Sequence, residues 1–524
     1  MLIYLLPKIN KNIYKHIQIQ QTDEPPIPYI SQSLSFYLTD TKKQIDGCES
    51  KWDIFKKYTN TFEYIHTILP NKKTSVSKYK PISRSYFKMV ELIDEFHFGL
   101  DSLNPIQTFH LAEGPGGFIE AVVNYRKNIK QKRSLSLGDK EILQENCSSL
   151  NEPLSPNTIA QCINHSSKDT YPNTVNASRS TSPKEMYINN SEDDIYVGMT
   201  LLVPLASTDP DPNIHLSTFS SSTSSRPLKS SDADMPPNWK KIHSFLKDNQ
   251  NNVIIEKGAD KTGNILSLVN LIKINETYGN TMDFITADGG FDFSADFSNQ
   301  ELNATQLIYG QIVFALCMQK QGGSFVLKIF DCFMKSTAEL LALMCSVYDN
   351  VYVTKPNTSR SANSEKYIVC KGFNHSSIQL YPYLFFSFKE MLEKKTTSHF
   401  ISGFLNKPLP QYFIQKLEKY NGILGEKQLE NMEKTLALIN EDENAECWKR
   451  KSKNGGIEQV KWRNVTSTRY DTVVWNKKKD RYLEGGDVCY KKEQWVQNNK
   501  EIDTLVNSNI LKCLHWCIKH NIPT

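Results

Sequence analysis

Apolar residues in the second half of the chain fall into two alternating rhythms. MDFITAD at 282–288, GGSFVLKIF at 322–330, NVYVTK and EKYIVCKGF are short, nearly continuous apolar runs, the pattern of buried strands. Between them QELNATQLIYGQIVFALCMQK and STAELLALMCSVY return apolar residues every three or four positions, the pattern of helices. The same alternation begins upstream. FHLA from 109, IYVGMTLLV at 195–203 and NVIIE at 252–256 read as strands, and SRSYFKMVELIDEF, the stretch from Phe118, NWKKIHSFLKD and ILSLVNLIKI as helices. Strand and helix in alternation predict an α/β fold with a mostly parallel sheet covered by helices on both faces. The connection from Lys355 to Lys366 is polar and too short for a crossover helix, so the last two strands are expected to be antiparallel neighbours.

The flanks follow other patterns. Residues 1–45 read as an arm lying on the body, and CESKWDIFKKYTNTFEYIHTIL, with Trp52, Phe55, Tyr58, Phe62 and Ile65 at helical spacing, as a core-facing helix. Ser83 or Ser85 is placed to cap the helix that carries Lys88. Two stretches, about 127–193 and 206–237, are rich in Ser, Asn, Asp and Thr without periodicity and read as loose insertions. Beyond about 400 the composition shifts, with five of the seven tryptophans in the C-terminal part. Three regions follow: an N-terminal arm and helical segment at 1–80, an α/β domain at 81–375 with the two insertions, and a smaller α+β, Trp-rich region at 376–524.

Bulk charge changes little: 62 basic against 57 acidic residues leave +5, so a surface for an anionic partner has to come from local clustering. WKRKSKNGGIEQVKWRN and WNKKKDRY are such clusters, suited either to a nucleic-acid backbone and its bases or to a solvated basic face. The eleven cysteines include no CxxC pair and read as reduced thiols. Cys513, His515 and Cys517 read as part of a helix with a buried cysteine face, and no metal site is expected. MLIYLLP is too short for a signal core, and no apolar run reaches the roughly 18 residues of a membrane span, so a soluble, intracellular protein with no membrane partner is expected.

Candidate chemistry concentrates at one sheet edge. In FHLAEGPGGFIEAVV, residues 109–123, an apolar run stops at a glycine turn and a helix begins at once, which lets a ligand lie against bare backbone at a helix N-terminus. Ile119 stands where a dinucleotide fingerprint needs its third glycine, so a pyrophosphate site is disfavoured. Ligands of open parallel sheets bind at the carboxyl ends of strands, and Asp288, Lys328 and Glu365 all fall at that edge, with Lys88 able to join from its helix. Taken singly, each has a plain structural reading as a turn residue, a snorkelling lysine or a surface charge. Together, two ammoniums and two carboxylates form a network able to steer a weakly acidic hydroxyl. Making one lysine neutral near pH 7 would cost about 4.6 kcal/mol, since its pKa has to fall roughly 3.4 units.

SRSYFKMVEL, LAEGPGGF, ITADGG, FVLKIF and KPNTSRSANSEKYIVCKGF together resemble the Lys-Asp-Lys-Glu pattern of FtsJ-like ribose 2′-O-methyltransferases. The resemblance covers about 80–375 less the insertions, with 40 residues from Asp288 to Lys328 and 37 more to Glu365. It implies a Rossmann-like methyltransferase domain, S-adenosyl-L-methionine as cofactor and Lys88, Asp288, Lys328 and Glu365 as the catalytic tetrad. Lys328 would orient or deprotonate the ribose 2′-hydroxyl, the other three holding it. Glu113, Gly114, Pro115, Gly116, Gly117 and Phe118 would contact the methionine moiety and Asp260, in KGADKTGN, the adenine side. GADKTGNI and LAEGPGGF look closer to the mRNA-cap branch and to relatives from large cytoplasmic DNA viruses. Methylation of the first transcribed nucleotides of capped mRNA is thereby implied, with RNA and other capping enzymes as partners. The location implied is the host cytoplasm or virion for a viral protein, otherwise the nucleus or cytoplasm. Ribosomal or transfer RNA methylation, and a silent RNA-binding subunit of a capping complex, are the alternatives.

Overall fold

The computed structural model describes residues 1–524 except 11, 71, 149–192, 203–242, 291–298, 395–399, 454–457, 463–470 and 476–485, and leaves the side chains of 133–148, 243, 394 and 443–500 aside. Its centre is an eight-stranded sheet. In chain order the elements relevant to that sheet are β1 (Leu2–Leu5), α3 (Ser85–Phe96), β3 (Gln107–Leu111), α4 (Gly117–Ser148), β4 (Ile195–Met199), β5 (Val253–Glu256), α6 (Leu268–Tyr278), β6 (Met282–Ala287), α7 (Gln300–Met318), β7 (Gln319–Ile329), α8 (Lys335–Val347), β8 (Tyr348–Lys355) and β9 (Lys366–Phe373). The strand order is β1-β8-β9-β7-β6-β3-β4-β5. Strands β3 to β7 are mutually parallel, while β9 runs antiparallel to both its neighbours, β7 and β8. The antiparallel pair expected from the short 355–366 connection is therefore present. The chain does not place β9 at the edge, however: it slides between β7 and β8, which buries the run YIVC on both faces.

Period-2 alternation then sends side chains to two cores. Phe109, Leu111, Ile285, Ala287, Phe325, Leu327 and Ile368 pack under α6, α7 and α8, and Phe284, Val326, Tyr367 and Val369 pack on the opposite face against α3 and α4. His110 is fully buried between Thr108 and Thr286 on that second side, and burial pushes its pKa down to about 3, so it is a neutral packing residue. From β3 the chain winds to β4 and β5 on one side and then returns to β6 and β7 on the other. The crevice between β3 and β6 is thus the switch point at which open α/β sheets bind ligands.

Several local readings change. The helix expected from 48 to 69 stops at Thr59 as α2 (Glu49–Thr59), and Glu63–Ile65 form a separate short turn of helix. Ser83 and Ser85 do not cap α3; their hydroxyls hydrogen-bond each other, and Arg84 occupies the capping position without a side-chain cap bond. Helix α4 continues to Ser148, well into the stretch read as loose from 127. Almost all of the remainder of that stretch, and the whole of 206–237, lie outside the described residues. Residues 2–5 add β1 to the sheet edge antiparallel to β8, and β2 (Ile17–Thr22) pairs with β10 (Phe400–Leu405) in a small separate sheet.

In the C-terminal part, α9 (Ser377–Lys394) packs on α7, α10 (Gln411–Lys453) on α1 (Gln32–Lys43) and α2, and α11 (Gly486–Lys519) on the 63–65 turn. The basic segments there include the hairpin β11 (Glu458–Trp462) and β12 (Asp471–Trp475), but their side chains lie outside the described residues. Cys513 and Cys517 are free thiols on the buried face of α11, and His515 is exposed, so the three do not converge. Among the described residues no group of His, Cys, Asp and Glu is arranged to hold a metal, and no helix is long and apolar enough to cross a membrane.

Candidate active site

Four elements bring the polar residues together. Asp288 follows β6, Lys328 lies near the end of β7, Glu365 stands immediately before β9 and Lys88 lies in the first turn of α3. Register explains the convergence. Lys328 pairs directly with Tyr367, so both face α3, and Glu365, two residues before Tyr367, has the same parity. Lys88 Nζ donates to Glu365 at 2.7 Å (Oε1) and 2.9 Å (Oε2). Lys328 Nζ donates to the Asp288 backbone carbonyl at 2.6 Å and lies 3.2 Å from Asp288 Oδ1. The network has a member that the sequence reading did not single out. The Tyr367 hydroxyl, fully buried, donates to Asp288 Oδ1 at 3.0 Å, accepts from Lys88 Nζ at 3.4 Å and stands 3.4 Å from Glu365 Oε1. It ties one ion pair to the other. The available signal was a tyrosine two residues beyond a candidate carboxylate in a strand of period 2.

Electrostatics match this geometry. Burial alone would raise the Glu365 pKa, but the ammoniums of Lys88 and Lys328 outweigh it and hold the carboxyl well below its usual range. Burial raises the Tyr367 hydroxyl far above its ordinary value, and the carboxylates of Asp288 and Glu365 act in the same direction, so it remains a donor. The loop from β8 to β9 is fixed from α3: Glu91 accepts from the backbone N–H of Asn357 at 2.8 Å and of Thr358 at 2.7 Å, and Ser359 Oγ donates to Glu365 at 2.9 Å. Tyr367→Phe is expected to lower the turnover rate about tenfold and to cost about 1 kcal/mol of stability, with cofactor affinity unchanged. Comparing single-turnover rates, chemical denaturation and cofactor calorimetry for the two proteins checks this.

The glycine turn stands across the crevice. Gly116 has φ +113°, open to glycine, and a Cβ at Gly117 would lie 2.2 Å from the Ser83 and Ser85 hydroxyls and 3.0 Å from the Tyr86 nitrogen, so a larger residue there would have to turn both hydroxyls aside. The peptide bond between Gly114 and Pro115 is cis. Phe118 packs fully buried against Tyr367, and Glu113 Oε1 accepts from the backbone N–H of Phe118 at 2.6 Å and Ile119 at 3.0 Å. Glu113 therefore caps α4. Its other oxygen, Oε2, is buried with no partner among the described residues, and burial raises the carboxyl pKa to about 8, with Asp288 adding to the rise. An unpaired, buried acceptor beside an open glycine backbone suits a positively charged amino group, so these residues fit an amino-acid-bearing cofactor.

Asp260 is placed differently. It lies exposed in the loop after β5 and accepts from Thr262, Ser267 and Asn270, bonds that outweigh burial and lower its pKa to about 2. That loop touches the segment after β4, where the Leu202 N–H donates to the Thr262 carbonyl at 2.7 Å. The loops that follow β4 and β5 therefore meet at the carboxyl edge, but Asp260 makes none of the bonds of the tetrad or of the Glu113 turn.

A glycine turn at the switch point of a mixed, mostly parallel sheet, faced by a lysine–carboxylate network, gives a Rossmann-like α/β domain with a candidate ligand site. Residues 236–373 match the FtsJ-like methyltransferase family. This chain carries an FtsJ-like methyltransferase domain. It is 41% identical over 118 residues to a cap-specific mRNA (nucleoside-2′-O-)-methyltransferase 1 of Trypanosoma brucei brucei, covering 22% of this chain and 32% of that protein. It is 28% identical over 270 residues to a cap-specific mRNA (nucleoside-2′-O-)-methyltransferase 2 of Pongo abelii, covering 49% of this chain and 33% of that one. The chain thus spans about a third of the length of these relatives. Both come from cellular organisms and lend no weight to the viral branch. A solved Plasmodium falciparum structure described as a ribosomal RNA methyltransferase aligns over 56% of this chain and 97% of its own at 16% identity, with a TM-score of 0.27, a likeness from which nothing about this site follows.

Proposed function

We propose that this chain is an S-adenosyl-L-methionine-dependent RNA ribose 2′-O-methyltransferase acting on the first transcribed nucleotides of capped mRNA. The observation that carries the reaction class is the bonded network of Lys88, Asp288, Lys328, Glu365 and Tyr367 at the switch point, directly across from the glycine turn. The cofactor, when bound, supplies an electrophilic methyl group. The chain supplies position. Lys328, near the end of β7, orients or deprotonates the 2′-hydroxyl, Asp288 holds Lys328 by its carbonyl and carboxylate, and the Lys88–Glu365 pair fixes Tyr367 against Asp288. Glu113 Oε2 and the backbone of Gly114–Phe118 hold the amino-acid end of the cofactor, and the Asp260 loop lies on its adenine side. Cap specificity is supported by the names of the trypanosome and orangutan relatives. Incubation with labelled cofactor and short RNA, capped or uncapped, tests it: capped RNA is expected to be labelled preferentially, and equal labelling of both would overturn the cap assignment.

Glu113 makes the cofactor site pH-dependent. Its folded pKa of about 8 lies above the unfolded value of 4.5, so the folded chain holds the extra proton, and Glu113 costs stability as pH rises through that window. An ammonium against Oε2 favours the carboxylate, so cofactor binding releases a proton and tightens as pH rises towards about 8. Calorimetry across that range is expected to show this slope in the native protein and to lose it in Glu113→Gln.

A further inference from the structure

Arg84 stands one helical turn before Lys88, so the two side chains leave the same side of α3. Its guanidinium has five N–H groups, yet among the described residues it makes no ion pair; Nη2 donates to the Thr358 carbonyl at 3.3 Å. Arg126 and Arg360, by contrast, are each held by a carboxylate, Asp194 and Glu63. Burial and the like charge of Arg360 push the Arg84 pKa down, and the carboxylates of Glu63 and Glu365 oppose them from a distance, so the half-buried guanidinium feels negative charge without touching it. Thr358 belongs to the loop that Glu91 and Ser359 clamp against α3 and Glu365, so Arg84 touches the backbone that joins the tetrad to whatever lies behind the loop.

Behind it is a cleft of about 200 Å³ lined by Asn60, Phe62, Lys355, Thr358, Arg360 and Lys427, among others. Arg360 is paired there with Glu63, Lys355 donates to the Asn363 and Glu365 carbonyls with burial pushing its pKa down to about 7, and Lys427 is exposed, so the lining carries a modest excess of positive charge. The Thr358 hydroxyl is buried without a partner among the described residues. An unpaired guanidinium fork, a net-basic cleft and one aromatic ring match a phosphodiester and its base.

We propose that Arg84 and the β8–β9 loop receive a phosphate of the RNA backbone beside the target ribose, and that the cleft behind the loop carries the strand away from the tetrad. The proposal rests on the RNA methyltransferase reading above, but binding tests it without turnover. Fluorescence anisotropy would follow a short capped RNA binding to the full chain, native, Arg84→Ala and Arg84→Lys, from about 50 to about 200 mM salt. Arg84→Ala is expected to weaken binding about five- to tenfold at low salt and to make the salt slope shallower by about one, while Arg84→Lys keeps the slope. A single uncharged methylphosphonate at one of the two linkages flanking the target ribose is expected to reduce the native protein to the level of Arg84→Ala and to cost Arg84→Ala nothing more.

An unchanged salt slope, equal methylphosphonate losses in both proteins, or a native chain that does not bind RNA would overturn the proposal. So would a loss confined to cofactor affinity by calorimetry, which would give Arg84 to the carboxylate of the cofactor. If Arg84→Ala fails to fold, the methylphosphonate comparison is run on Arg84→Gln. A chain that binds RNA as expected yet transfers no methyl group would contradict the catalytic reading and leave this one standing.

Discussion

Lys328→Ala is expected to lower methyl transfer to RNA about a thousandfold while leaving cofactor affinity within about twofold of the native value. The two effects separate because Lys328 belongs to β7 and bonds Asp288, whereas the orphaned carboxylate oxygen and the open backbone belong to the turn after β3. Fold loss is not expected to confuse the result. Asp288 keeps the Tyr367 hydrogen bond, and its side chain is 16% exposed, so the carboxylate is not left dry and unpaired. Lys328→Arg should not restore the rate, because a planar guanidinium cannot stand in for a compact ammonium between the Asp288 carbonyl and carboxylate. Single-turnover methylation with a parallel cofactor titration measures both quantities. Undiminished transfer in Lys328→Ala would remove the residue from the reaction.

The second large effect belongs to Glu365. Its side chain and that of Lys88 are 14% and 8% exposed, and Glu365→Ala leaves the ammonium buried with only the Tyr367 hydroxyl and no carboxylate. Breaking a buried pair from one side costs about 3–5 kcal/mol. Activity should fall as well, since Tyr367 and Ser359 lose the same partner. The double substitution Lys88→Met with Glu365→Leu is expected to recover most of the stability and none of the activity. Denaturant titrations of the three proteins check the stability half. The pH dependence has a definite sign. The folded Glu365 pKa lies below its unfolded value, so its contribution is complete above an ordinary carboxylate pKa of about 4.3 and is lost as pH falls below that. Acid unfolding of the native chain should therefore be steeper below about pH 4 than that of the double variant.

Much of this site was legible from the sequence because strands were read by period and direction. Asp288 and Lys328 end parallel strands, and the polar, helix-free connection before Lys366 forces β9 to run backwards, so Glu365 returns to the same edge. The insertion of β9 between β7 and β8 was not legible, because a short connection limits direction and not which neighbour is taken. Tyr367 was hidden for a related reason. At the head of the apolar run YIVC, a tyrosine reads as core until its register against Lys328 is known. Glu91 looked like one acid among several in SRSYFKMVELIDEF, and only the tertiary approach of Asn357 and Thr358 gives it a task. Ser83 and Ser85 misled because two hydroxyls at the right spacing for a cap found each other beside Gly117. Asp260 was chosen from its motif, yet its bonds close its own loop, and no rule of spacing reports how far such a loop reaches.

The central claim, that the network of Lys88, Asp288, Lys328 and Glu365 transfers a methyl group to a ribose hydroxyl, is tested most directly with a capped RNA and the same RNA carrying a single 2′-deoxy residue at the first transcribed position. With labelled cofactor, the account predicts label in the first RNA, recovered in a nuclease-resistant 2′-O-methylated dinucleotide, and none in the second. Equal labelling of the two RNAs, or label recovered on a base, would contradict it.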